Sequence, residues 1–270
     1  MQTRRRAVLA AASLALTALT GGRGMAGDGL TFTSGGRAIA VERFDAQGAG
    51  GGRRPALLLL HGADGFTNGD RYRLGAQILA GAGYHVFLVH YLDRTGQGRA
   101  YYSTIGQNFP LWADTVRDAL DFVEGQGGVD PKRIGIVGTS LGGALGVTVA
   151  AGDRRVGALV NYFGFLPDPV RETATRLPPT LVLHGAKDAI VPVANAHALE
   201  ALLRRVGAPH EVHVYPDQGH GLHGAAQLDA AQRTAAFLAR HLGQSAAALG
   251  TREAAPRGSS FPTASPGSSS

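Results

Sequence analysis

The chain has 270 residues, 44% of them hydrophobic, with no cysteine and a formal net charge of +6. That size suits one domain with a substantial core, and the absence of cysteine excludes disulfides as a source of stability. The charge does not indicate a nucleic-acid surface. Setting aside Arg4, Arg5, Arg6 and Arg23 near the start, and two arginines and one glutamate after Gly243, leaves 20 basic against 19 acidic residues, so no basic patch is implied.

Residues 1–26 read as an export signal: Thr3-Arg4-Arg5-Arg6 is a cationic start, 7–20 an apolar stretch, and Gly24-Met25-Ala26 a small-residue cleavage site. The apolar stretch is shorter than the ~20 residues a helix needs to cross a bilayer, so no stable membrane anchor is expected. The paired arginines fit the twin-arginine route, but the usual Phe and Lys are missing, and Sec export stands beside it. A periplasmic or secreted protein is the expectation.

Past the leader, 31–34 and 38–44 around Gly35-Gly36 predict a hairpin. The Gly/Arg-rich stretch at 48–54 has no Gly-Lys-Ser/Thr, so it is a connector, and no cofactor is expected. Buried strands are predicted at 57–60, 84–89, 134–137, 158–162, 180–183 and 211–215, with helices at 70–82, 111–124, 141–151, 193–206 and 225–241. Strands alternating with helices give an α/β fold, a mainly parallel doubly wound sheet covered on both faces, with functional loops at the carboxyl ends of its strands. Residues 92–110 read as a long loop bringing Tyr101, Tyr102 and Phe109 near Trp112, either to wall a pocket or to anchor the loop. There Arg94 and Arg99 are candidate partners for a substrate carboxylate, or solvated. From 244 to 270 the chain is Ala, Ser, Pro, Gly and Thr with little to bury, and reads as a disordered tail after a domain at 27–243.

The chemistry gathers around Gly138-Thr139-Ser140-Leu141-Gly142, between a predicted strand and a small-residue helix. A serine squeezed into that turn takes a strained backbone, and the glycines two before and two after leave room for it. Its hydroxyl is a poor nucleophile at neutral pH and needs a base, itself oriented by an anion. Of the ten histidines, His220 sits best, after the last strand and before the closing helix. His223 is the rival base. The pair also reads as a metal fragment, but no third ligand follows at suitable spacing and no metal is expected. His210 and His213 fall on opposite faces of a strand and cannot share an ion. Asp188 is the preferred acid, with Asp168 and Asp217 as alternatives; the order Ser140, Asp188, His220 is that of α/β-hydrolases. An oxyanion needs two backbone donors: Leu141 N–H at the helix start, and Ala63 N–H, or Asp64 N–H, from the turn His61-Gly62-Ala63-Asp64-Gly65. His61 and His184 are expected to brace their turns.

These stretches together resemble the dienelactone hydrolase family from about residue 56 to 241. Gly138-Thr139-Ser140-Leu141-Gly142-Gly143-Ala144 is similar to its Gly-x-Cys/Ser-x-Gly-Gly elbow, and Tyr162-Phe163-Gly164 to its Tyr-aromatic-Gly strand end. Lys187-Asp188 with Val191-Pro192 resembles its acid loop, and Gly219-His220-Gly221 its base loop. The resemblance implies an eight-stranded α/β-hydrolase core with little or no lid, hydrolysing small-molecule esters or lactones. Two departures point away from dienelactone itself: serine stands where the lactone-opening enzymes carry cysteine, and Gly62-Ala63 where they carry a glutamate. A serine carboxylesterase is the leading expectation. Acyl transfer or peptide cleavage by the same triad is the second, and a non-catalytic binding protein of the same fold the third.

Overall fold

The structure is a computed structural model that describes residues 28–48 and 51–243; the predicted leader and tail lie outside the described residues. The chain opens with strands β1 (Asp28–Ser34) and β2 (Arg37–Phe44), then β3 (Arg54–Leu60), helix α1 (Gly69–Gly81) and β4 (His85–Val89). After a 3-10 turn at Tyr91–Thr95 come α2 (Tyr102–Glu124), β5 (Val129–Thr139), α3 (Leu141–Gly152) and β6 (Val156–Tyr162). Helix α4 (Asp168–Thr173), β7 (Thr180–Gly185), α5 (Ala194–Arg205), β8 (His210–Tyr215) and α6 (Gly224–Leu242) complete it.

The strands form one eight-stranded sheet in the order β1-β2-β4-β3-β5-β6-β7-β8. The first two pair antiparallel to each other and β2 to β4, and every later pairing is parallel. This is the expected α/β-hydrolase architecture. Side chains alternate across each strand, so Leu58 and Leu60 pack on one face with Trp112 and Leu120 of α2, Leu145 of α3 and Leu199 of α5. Leu57 and Leu59 pack on the other face with Leu79 of α1 and Phe237 and Leu238 of α6.

Topology places the site. From β3 the chain crosses to β4 on one side, then returns past β3 to β5 on the other, so the direction of winding reverses there. A crevice opens outside the carboxyl ends of strands at such a reversal. The register sets Leu60 beside Gly138 and Thr139 beside Tyr162, which brings the turns after β3, β5 and β6 together.

The short helix α4 was not expected, β5 starts five residues before the predicted 134, and the largest departure is in α2. Residues 102–110 belong to α2, which starts nine residues before the predicted 111 and carries Pro110 inside it. Proline lacks the N–H that a helix interior uses, so periodicity alone stops there. In the structure the helix runs on through Pro110, with Trp112, Val116 and Leu120 beyond it packed in the core.

Candidate active site

Ser140 sits between β5 and α3 with φ 54° and ψ −115°, a conformation that L residues adopt only under strain of about 1–3 kcal/mol. Close packing enforces it. A Cβ on Gly138 would lie 2.3 Å from the Gly142 carbonyl oxygen, and one on Gly142 would lie 2.4 Å from that of Leu60. Either would push the turn off the sheet.

The structure brings Ser140, His220 and Asp188 together. Ser140 Oγ is 2.9 Å from His220 Nε2, and His220 Nδ1 is 2.8 Å from Asp188 Oδ2. Asp188 is held from both ends, since its Oδ1 accepts from the Ile190 and Val191 N–H groups at 2.9 and 2.8 Å. Its side chain is fully buried, whereas that of His220 is 17% exposed. Phe163, the other non-glycine residue with positive φ among the described residues, packs its ring edge-to-face with the His220 imidazole at 4.9 Å between centroids.

The alternatives lie elsewhere. Asp168 starts α4 in an exposed pair with Arg171, and Asp217 pairs with Lys187. His223 is exposed, and its N–H donates to Gln218 Oε1. Among the described residues no group of three or more His, Asp or Glu gathers as a metal site.

Leu141 N–H opens α3, where the first helical amides have no intrahelical acceptor, and Ala63 lines the same cleft as Ser140 and Leu141. Both residues therefore stand beside Ser140 at the cleft. The turn carrying Ala63 is clamped by Tyr72 of α1, whose hydroxyl accepts from Gly62 N–H at 2.9 Å and donates to Asp64 Oδ1 at 3.0 Å. Beneath it His61 donates from Nδ1 to the Gly62 carbonyl and stacks on Tyr91 at 4.2 Å. Burial pushes the His61 imidazole down to about 4, so it is neutral near pH 7. His184, also buried and held below the usual histidine range by desolvation, donates from Nε2 to the Val191 carbonyl at 2.8 Å. Both thus brace turns, as expected.

Other residues of the site escaped the sequence reading. Asn161, buried near the end of β6, donates to the Gly143 carbonyl and accepts from Gly164 N–H at 2.8 Å, tying the serine elbow to the next loop. An asparagine within the apolar run Ala-Leu-Val-Asn-Tyr was the signal available. Tyr72 offered none, because one tyrosine on a helix is ordinary. The aromatics of 101–112 divide their roles: Tyr102 lines the cleft, whereas Trp112 is buried and donates to Thr95 Oγ1. Arg94 is not in the cleft and donates to the Gly35 carbonyl.

Several known proteins are similar to the chain. An acylamino-acid-releasing enzyme of Oryza sativa is 27% identical over 215 residues, 63% of this chain and 28% of the relative. A candidate carboxymethylenebutenolidase of Methylorubrum extorquens is 32% identical over 114 residues, 39% of either chain. The chain thus spans well under half the length of these curated relatives. The crystal structure of a candidate dienelactone hydrolase from Klebsiella pneumoniae superposes with a TM-score of 0.69 at 22% identity, covering 80% of this chain and 98% of that one. The family model of the dienelactone hydrolases matches residues 44–242, which hold the serine elbow, the acid loop and the base loop, and the chain belongs to the dienelactone hydrolase family.

Proposed function

We propose that this hydrolase is a serine-dependent carboxylic ester hydrolase in which Ser140 is the nucleophile, His220 the base and Asp188 its orienting anion. The carrying observation is the unbroken chain of contacts from Ser140 Oγ to His220 Nε2 at 2.9 Å and from His220 Nδ1 to Asp188 Oδ2 at 2.8 Å. With Asp188 accepting a hydrogen bond from Nδ1–H, the proton stays on Nδ1 and Nε2 is left to take the hydroxyl proton as Ser140 Oγ attacks the ester carbon. The carbonyl oxygen becomes an anion facing the Leu141 and Ala63 N–H groups, each worth on the order of 3 kcal/mol in the transition state. His220 then returns the proton to the departing alcohol, leaving an acyl-serine. Water, deprotonated by the same imidazole, releases the acid and regenerates the serine.

Cleavage of an amide or transfer to another acceptor uses the same steps. The likeness to an acylamino-acid-releasing enzyme favours peptide-bond cleavage as the second reading. Export belongs to the proposal and rests on the leader alone.

A fluorophosphonate probe should label Ser140, and short-chain p-nitrophenyl esters should be hydrolysed. Ser140→Ala should abolish labelling and lower turnover about 10⁴- to 10⁶-fold, roughly 5 to 8 kcal/mol of barrier. Undiminished hydrolysis by that variant overturns the assignment. Turnover of matched anilides exceeding that of the esters selects the peptidase reading.

A further inference from the structure

Ser140 opens onto a cleft of about 190 Å³ that it shares with Leu141 and Ala63, and His220 does not line it. That asymmetry separates the two halves of a substrate. The base must hand its proton to the departing alcohol, so the alcohol lies on the His220 side of the serine. The cleft is left for the acyl group.

Its walls are apolar: Tyr102 and Ile105 from α2, Phe165 after β6, and Ile190 in the acid loop. Among the described residues no Lys or Arg lines it. The amide of Asn195, which does, is already engaged, its Oδ1 accepting from Leu166 N–H and its Nδ2 donating to the Pro192 carbonyl. The cations of the neighbouring loops are turned to other partners. Arg99 lies over the Tyr101 ring, Arg94 donates to Gly35, and Lys187 pairs with Asp217. A carboxylate brought into such a lining loses its hydration and meets no counter-charge, which is strongly unfavourable. The volume also falls below the ~300–1,000 Å³ of pockets that take drug-sized ligands.

We infer that this cleft is an acyl site selecting short, uncharged, apolar acyl groups and rejecting acyl groups that bear a carboxylate. The inference rests on the ester-hydrolase reading and deepens it by naming the substrate class.

The test is a matched pair with one leaving group: p-nitrophenyl butanoate and the p-nitrophenyl monoester of succinic acid, assayed with the full chain. The neutral ester should be preferred at least about 100-fold in kcat/KM, and activity should fall as the acyl chain grows beyond about six carbons. Ile190→Arg adds a cation to a wall residue that is 53% exposed, so the fold should tolerate it. It should narrow the preference at least tenfold by raising turnover of the anionic ester. Equal turnover of the pair by the wild type, or a preference unmoved by Ile190→Arg, overturns the inference. Probe uptake at Ser140 with turnover of longer-chain p-nitrophenyl esters but of neither ester of the pair overturns this inference alone. Absence of both uptake and turnover overturns the ester-hydrolase reading and this inference with it.

Discussion

The two sides of Ser140 are built differently. On the His220 side the polar groups are locked: Asp188 is buried under three hydrogen bonds, and Phe163 pins the imidazole. On the other side the wall is apolar contact, and its outer members Tyr102 and Ile190 are 73% and 53% exposed. Directional bonds hold atoms to within a few tenths of an ångström, as proton transfer demands, whereas apolar contact is forgiving of shape. The chemistry therefore tolerates little change, and the choice of substrate tolerates much.

Asp188→Asn attacks the locked side and should have the largest effect. An amide in place of the carboxylate no longer selects the tautomer with Nδ1 protonated, so kcat should fall about 10⁴-fold, some 5 kcal/mol, in a protein that still folds. A drop below tenfold, measured with p-nitrophenyl esters, would break the comparison.

Acid probes the same rigidity through stability. His61 is neutral in the fold, with its ionisation pushed from the ordinary 6.5 to about 4, so the unfolded chain binds more protons between those values. Stability from this group is complete above pH 6.5 and is lost as pH falls toward 4, on the order of 3 kcal/mol in all. Burial lowers His85, His90 and His184 in the same direction. Urea unfolding at pH 7 and pH 4.5 should show the loss, and His61→Asn should reduce the difference between them.

Gly142→Ala tests the elbow itself. The added Cβ would press on the Leu60 and His61 carbonyl oxygens at 2.4 and 2.5 Å, so stability should fall about 1–3 kcal/mol and activity with it. An unchanged Tm with full activity would mean that the elbow is looser than its contacts indicate.

The smallest effect on the fold belongs to the exposed wall. Tyr102→Ala should alter stability by less than about 0.5 kcal/mol while shifting kcat/KM across acyl lengths several-fold. A large loss of Tm there would erase the contrast between the two sides.

How much of this was legible in the residues follows the range of the interactions. Gly138 to Gly142 encode the serine elbow locally, because a tight turn between strand and helix makes its steric demands on neighbours along the chain. The alternation of apolar strands and helices likewise carried the α/β fold, since period-2 and period-3.6 patterns are written into consecutive side chains. The order Ser140, Asp188, His220 named the residues that meet. Their distances belong to the fold, because 80 and 32 residues separate the bonded pairs and only the parallel register sets them side by side.

The acyl wall was illegible for a related reason. Pro110 reads locally as a helix boundary, yet packing of Trp112, Val116 and Leu120 on the sheet carries α2 through it and positions Tyr102 and Ile105 at the cleft. Local sequence determined the fold class, the strained serine and the candidate partners, because short-range sterics and periodicity suffice for those. Tertiary structure alone decided which side of the serine is apolar and closed to charge, because that depends on burial among residues remote in sequence.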